Sequence, residues 1–402
     1  MQGVIGLEGV RAAKEDCLDL SCRREIRYLS AGDSLGGVFR SRLYLLAAVL
    51  WLVTRIATMV LTFGWLLLFP EGHHLRDWLG YWLQWDTGWY LHISETGYFS
   101  TASTAFFPLY PALIEVLSGG GSEPVRLAVA LIVNNLGALI GFIALAVLAS
   151  QELGGEEAAL RTVRMAAAYP FAIFYFAGYT DGLFFGLATT ALLLARRGNW
   201  WPCAALAFLA ALARPTGLIL LLPIAWEYSR RHRLAVSLPG VVAMVSAPAA
   251  LSAYMAFLWI RFGDPLLFIR AESEVWHRQA ALPWDTLANA FRHVLGGAPV
   301  GLFDLLPVLF FAALTVAGAR RLPLSLTLYM VGLITFSIIS PERSNPDVLN
   351  SAARYMTAAA PAFLVLGAWT EKRAWLDTGL VAGGFMLQAL LAIAFLSGRG
   401  IH

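Results

Sequence analysis

The chain has 402 residues, 58% of them hydrophobic and only 14% charged, with a mean hydropathy of +0.66. That composition excludes an ordinary soluble domain and marks a polytopic membrane protein. The net charge of +3 is small and the basic residues are scattered between apolar segments, which excludes a nucleic-acid partner and assigns the arginines to membrane topology.

Residues 1–40 hold no apolar core followed by a small-residue cleavage site, so within the expected N-terminal segment 1–42 they do not read as a signal peptide. Arg23, Arg24, Arg27, Arg40 and Arg42 mark them as a cytoplasmic segment. Cys17, Cys22 and Cys203 offer neither a disulfide framework nor zinc-ligand spacing and read as unpaired thiols.

A single transmembrane domain is expected over 43–397, followed by a tail at 398–402. Spans of roughly 20 apolar residues are predicted at 43–69, 125–149, 236–260, 300–318, 323–340, 355–370 and 375–397. Two further units, 165–195 and 199–229, are each too long for one span and short for two. They read as pairs of abbreviated helices broken at Gly178 to Asp181 and at Arg214 to Gly217, for eleven crossings in all. With the N-terminus inside, the inner loops collect Arg161 and Arg164, Arg196 and Arg197, Arg230, Arg231 and Arg233, Arg320 and Arg321, then Lys372 and Arg373, as the positive-inside rule requires. The outer segments are then 70–124, 261–299 and 341–354, long enough to carry function. Within the first, 75–95 and 105–118 are expected to form short helices along the membrane surface, with Pro108 and Pro111 limiting where the second begins.

Helical rise places the breaks in depth. Residues 199–213 reach only about 22 Å at 1.5 Å per residue, less than the ~30 Å hydrocarbon core, which sinks Arg214 below the outer surface; the same argument sinks Asp181. Broken backbone at that depth must be buried in protein or line a wet cavity, so the two breaks predict a pocket open to the outer leaflet.

Chemistry is concentrated in WDTGWYLHISETGY, residues 85–98, and in FFPLYPALI, residues 106–114. Aromatics so dense belong at a membrane surface. Asp86, among Trp82, Trp85 and Trp89 and followed by Thr87 and Gly88, reads either as a general base for an alcohol or as an acid capping the surface helix that begins near Thr87. Arg214, in ALARPTGL, costs ~2.5–3.5 kcal/mol at the centre of a span and calls for a cavity and a partner. It reads as a phosphate ligand, which guanidinium grips with two parallel hydrogen bonds, or as a structural partner of Asp181 or another acid. Arg55, midway along the first span, and Arg354, at the outer mouth of a late one, are further phosphate-binding candidates; interface anchoring is the alternative for Arg354. Substrate contacts are expected from Trp85, Trp89, Tyr90, His92 and Tyr98, and beyond them from Pro108, Tyr110 and Asp181. His92 and Glu95 share a helical face, but no second pair completes a ligand set, and His73 and His74 point apart. There is no Gly-rich phosphate loop and no Asp-x-Asp, so no metal or other cofactor is expected.

On these motifs the chain resembles the PIG-V type mannosyltransferases, multi-spanning enzymes of the GT-C class. The resemblance rests on the Trp-Asp, aromatic pair and Gly-Tyr of WDTGWYLHISETGY and on FFPLYP, supported by YPFAIFYFAGYTDGLFF, ARPTGL and FGDPLLFIRAES in the same order, from about Leu43 to Arg354. It implies an all-α GT-C bundle that moves mannose, by inversion and into an α-1,6 linkage, from a polyprenyl- or dolichyl-phosphate donor to a glycolipid or lipid-linked acceptor among the membrane lipids. Asp86 would be the general base and Arg214 the donor-phosphate ligand; Asp181 stands where relatives often carry glutamate. The compartment would be the outer face of a bacterial plasma membrane or, in a eukaryote, the endoplasmic reticulum, the latter without support from any N-x-Ser/Thr sequon. A transporter or flippase for a lipid-linked sugar is the rival, though no repeated halves are apparent; a transferase using another sugar or a protein acceptor is a second.

Overall fold

The computed structural model describes residues 37–69, 74, 77–232, 236–342 and 347–400, with side chains from residue 41. Cys17, Cys22, His73, Arg233 and the arginines before Gly37 lie outside these described residues, and of Arg40 only the backbone is described.

In chain order the helices are α1 (Gly37–Leu68), α2 (Asp86–Thr96), α3 (Leu109–Ser118), α4 (Glu123–Ala149), α5 (Glu156–Ala167), α6 (Asp181–Arg197), α7 (Trp200–Ala213) and α8 (Leu221–His232). Then come α9 (Leu238–Phe262), α10 (Leu267–Arg270), α11 (Pro283–Leu295), α12 (Leu302–Gly318), α13 (Leu324–Ile338), α14 (Ala352–Tyr355), α15 (Ala360–Trp369) and α16 (Ala374–Leu396). Among the described residues five segments are long and apolar enough to cross a membrane singly: Ser41–Leu68, Glu123–Gly154, Leu238–Phe262, Pro299–Gly318 and Ala374–Leu396. The chain is an all-α membrane bundle, with the shorter apolar helices packed between these five.

Both predicted breaks are present. α5 ends at Ala167, a 3-10 turn spans Pro170–Tyr175, and α6 opens at Asp181. α7 ends at Ala213, Arg214 is extended at φ −153 and ψ 146, and a 3-10 turn over Pro215–Leu220 leads into α8. The first pair starts earlier than the predicted residue 165. Its charged first helix is absorbed by neighbours: Arg164 pairs with Asp377 at 2.7 Å, and Arg161 donates to the Gly367 carbonyl at 3.1 Å. Hydropathy alone could not see those partners. The surface helices are shorter than expected at their starts: a 3-10 turn at Gly80–Trp82 and the positive φ of Trp85 delay α2 to Asp86, and Pro108 caps α3.

The first break is clipped to the core by two asparagines. Asn134 on α4 donates to the carbonyls of Phe174 and Ala177, both at 2.7 Å. Its Oδ1 accepts from the amides of Gly182 at 2.6 Å and Leu183 at 3.1 Å. Non-helical backbone deep in a membrane protein needs such internal partners. Small residues then let α4 and α6 touch through their backbones, as helices in membranes commonly do: a Cβ on Gly186 would lie 2.3 Å from the Gly137 carbonyl oxygen. The N-terminus of α6, carrying Asp181, is thereby fixed at the centre of the molecule.

Candidate active site

α2 begins with a strained turn. Trp85 stands before it at φ 51 and ψ −118, a backbone region that a bulky residue rarely enters and that costs about 1–3 kcal/mol. The described residues with positive φ other than glycine are Trp85, His277 and Ser351. Trp85 and Ser351 line one cavity of about 340 Å³, and His277 lies between two more of its lining residues, Trp276 and Arg278. Strain gathered at one place is a mark of a functional site.

The same cavity is bounded by Asp86, Trp89, Tyr90, Thr180, Arg214, Glu272, Glu342, Arg354 and Tyr355. Asp86 is the first residue of α2, one place past Trp85, which holds the N-cap position from which an acid would serve the helix amides. Its Oδ2 instead accepts from Arg354 Nη1 at 2.6 Å, and its amide donates to the Tyr179 hydroxyl at 3.3 Å. The Arg354 guanidinium lies 5.1 Å from the ring centre of Tyr179 and 5.5 Å from that of Phe174, so cation–π contact and the ion pair fix its plane.

A second pair lies behind the first. Arg214 Nη1 meets Asp181 Oδ1 at 2.5 Å, with the acid side chain 1% exposed and the arginine 9%. Thr357 donates to the same oxygen at 3.3 Å, while Asp181 Oδ2 is buried without a partner among the described residues. The Tyr355 ring sits 5.0 Å from the Arg214 guanidinium and 6.0 Å from that of Arg354, separating the two cations.

The opposite wall comes from the outer segment after α10. Arg278 donates to the Asn350 carbonyl at 2.9 Å and to the Tyr355 hydroxyl at 3.4 Å, and approaches Glu272 only to 3.8 Å. Burial holds the Glu272 carboxyl above the usual carboxylate range; Arg278 opposes that, and the nearby Asp86 and Glu342 reinforce it. Aromatic rings close the floor: Trp89 stacks on Phe106 at 5.4 Å and meets Trp276 edge-on at 5.7 Å.

The structure thus brings Asp86, Arg214, Arg354, Trp85, Trp89 and Tyr90 to one cavity, with Asp181 just behind it. The other candidates stand elsewhere. Arg55 lines a separate groove with Met59 and Phe63 and donates to Asn135 Oδ1 at 2.7 Å. Asn135 in turn donates to the Phe176 carbonyl at 2.9 Å, so Arg55 braces the break from behind. His92 packs edge-on against Phe99 at 4.2 Å. Tyr98 donates to the Phe106 carbonyl at 2.7 Å and Tyr110 to that of Ala130 at 2.8 Å, which commits both hydroxyls to the fold, and Pro108 caps α3. Trp82 is fully buried, packed on Phe176 and Phe395, and does not line the cavity. Sequence reasoning assigned nothing to Glu272, Arg278, Glu342 or Ser351; only FGDPLLFIRAES, which ends beside Glu272, pointed near them.

The fold is of the GT-C membrane glycosyltransferase class. ArnT from Cupriavidus metallidurans, in a crystal structure bound to undecaprenyl phosphate, superimposes with a TM-score of 0.50 over 86% of this chain and 76% of that one, at 15% identity. Within that class the resemblance to the PIG-V type is shown, since residues 73–232 match the family described as Mannosyltransferase (PIG-V). The GPI alpha-1,6-mannosyltransferase 2 of Mus musculus is 29% identical over 204 residues, 45% of this chain and 41% of that protein. Its counterpart in Rattus norvegicus is 31% identical over 144 residues, 34% of this chain and 29% of that protein. The matched stretches span less than half the length of either relative.

Proposed function

We propose that this protein is an integral-membrane mannosyltransferase that moves mannose from a polyprenyl-phosphate donor to a hydroxyl of a lipid-linked acceptor, with Asp86 as general base. The observation that carries this reading is the Asp86 carboxylate, held at 2.6 Å by Arg354 on the wall of a cavity that Arg214 and Arg278 also line. The match of residues 73–232 to the mannosyltransferase family and the names of the relatives favour mannose over other sugars.

In this mechanism an acceptor hydroxyl gives its proton to Asp86 as its oxygen bonds to the anomeric carbon. The bond from that carbon to the phosphate oxygen breaks, and its electron pair leaves with the polyprenyl phosphate. Attack opposite the leaving group inverts the sugar. Cationic side chains beside the phosphate stabilise the charge that develops there, and the aromatic floor keeps water from competing for the sugar. Charge distribution supports a reaction on the face opposite the arginine-rich loops: the outer surface of a bacterial plasma membrane, or the lumen in a eukaryote.

The test is to incubate the purified protein with a panel of polyprenyl-phosphate sugars and a membrane lipid extract, and to follow products by mass spectrometry. A hexose added to a lipid from the mannose donor is expected. Asp86→Asn, which keeps shape and loses proton affinity, should lower transfer by about 10²–10⁴-fold while donor binding persists. Near-normal turnover in that variant would remove Asp86 from the chemistry.

A further inference from the structure

A second cavity, of about 840 Å³, lies beside the first and is lined by one face of α11 together with Ala280, Ala281, Pro341, Glu342 and Val348. A short antiparallel ladder divides the two: Arg278 pairs with Glu342, and the Ala281 amide donates to the Ile339 carbonyl at 2.8 Å. Arg278 lines only the first cavity, Ala280 and Ala281 only the second, and Glu342 lines both.

α11 has three distinct faces. Thr286 and Ala290 are buried, and Ala290, Leu287 and Val294 pack against Leu305, Val308 and Ile338. Trp284, Phe291 and Leu295, at helical spacing on a second face, are exposed, as are Phe303, Leu306 and Phe310 on the following α12. An exposed apolar stripe with tryptophan, continuous with a spanning helix, belongs in lipid at the membrane surface. Asp285, Asn289, Arg292 and His293 form the third face, which lines the cavity. Among the described residues none of these four side chains has an ion-pair or hydrogen-bond partner, whereas Asp86, Arg214 and Arg354 in the first cavity are all paired.

We propose that this second cavity holds the headgroup of the acceptor, and that the acceptor is an anionic lipid whose headgroup carries hydroxyls. Arg292 and His293 supply N–H donors for a phosphodiester; Asp285 and Asn289 offer oxygens to hydroxyl groups. The lipid's tails stay in the bilayer along Trp284, Phe291 and Leu295, and Glu342 marks where the far end of the headgroup passes toward Asp86. The name acceptor rests on the transferase reading; the lipid site itself does not.

The test uses the full chain in detergent, with dioctanoyl phosphatidylglycerol as the probe and dioctanoyl phosphatidylcholine as the control, and reads binding by native mass spectrometry. The parent should prefer phosphatidylglycerol. Arg292→Gln should weaken that binding about tenfold, the scale of one charge-assisted hydrogen bond, while Asp86→Asn leaves it unchanged. Farnesyl phosphate, a donor mimic, should bind the Arg292→Gln protein as it binds the parent. Equal binding of the two lipids, or undiminished phosphatidylglycerol binding by a monodisperse Arg292→Gln protein, would overturn the site. Should Arg292→Gln express poorly, a photoactivatable phosphatidylglycerol on the parent gives the same answer: cross-links at residues 280–293 support the site, and cross-links only elsewhere refute it. Loss of probe binding in a protein whose parent transfers no sugar would keep the lipid site and discard the transferase reading.

Discussion

Each of the two arginines foreseen from the sequence as phosphate ligands in this cavity is held by an acid remote in the chain. Arg354 meets Asp86 across 268 residues, and Arg214 meets Asp181 across 33. The second pairing was one of two readings open from depth alone, because an arginine and an acid sunk at neighbouring breaks need each other. The first was illegible, since nothing near Arg354 points to residue 86. If Arg214 also contacts the donor phosphate, Arg214→Lys keeps its charge but loses the two-pronged geometry, and should weaken donor binding less than Arg214→Ala. The alanine variant leaves Asp181 buried and unpaired, a loss of about 3–5 kcal/mol, so size-exclusion profiles must accompany the binding curves. Equal donor affinity in all three proteins would leave Arg214 a purely structural partner of Asp181. Glu272 gives a pH-dependent prediction. Its folded-state carboxyl titrates above the usual range, so its contribution to stability is present below the unfolded value and lost as pH rises through the folded one. Glu272→Gln should therefore match the parent's melting temperature near pH 4 and exceed it at pH 8. A higher melting temperature for the parent at pH 8 would show that the ion pair with Arg278 outweighs burial.

At the scale of elements, both breaks were readable because their segments were the wrong length for a bilayer, a constraint that acts on any sequence. How the breaks are held was not readable. Asn134 sits beside Asn135 inside a long apolar helix, where the sequence names no partner for it, yet it makes four hydrogen bonds to the chain around the first break. Replacing it with alanine removes all four and leaves the carbonyls of Phe174 and Ala177 without that donor, at about 1–3 kcal/mol for each buried group left unsatisfied. Asn134→Ala should lower thermal stability and also move Asp181, so that activity falls even at temperatures where the protein stays monodisperse. Unchanged turnover in folded Asn134→Ala protein would mean that the α6 N-terminus is positioned by packing alone. Gly186 tests that alternative. Gly186→Ala puts a methyl 2.3 Å from the Gly137 carbonyl oxygen, which should separate α4 from α6 while leaving the asparagine bonds able to form. The second outer segment was harder still to read: α11 was not expected, because its mixed composition hides three faces behind one average.

For the whole molecule, arginine placement is what speaks to sidedness, and the positive-inside rule turns it into a proposed topology. The fold shows a second use for those arginines. Arg196 pairs with Glu152 and with Glu227, each at 2.7 Å, and Ser325 on α13 donates to Glu227 at 2.5 Å, so the arginine-rich end ties the π-helical turn Ser150–Gly154 that follows α4 to α6, α8 and α13. On the proposed topology these residues would both mark the inner face and tie its helices together, leaving the cavity with Asp86 to the other face. Sidedness can be measured without knowing the substrate. In a background lacking Cys17, Cys22 and Cys203, a cysteine at Thr101, just before the 3-10 turn Ala102–Ala105 in the proposed outer segment, should react with a membrane-impermeant thiol reagent in intact cells. One at Asn199, exposed between α6 and α7 beside Arg196 and Arg197, should react only after the membrane is opened. Labelling at Asn199 but not at Thr101 would invert the protein, put the Asp86 cavity on the cytoplasmic side, and require a donor whose sugar faces that compartment.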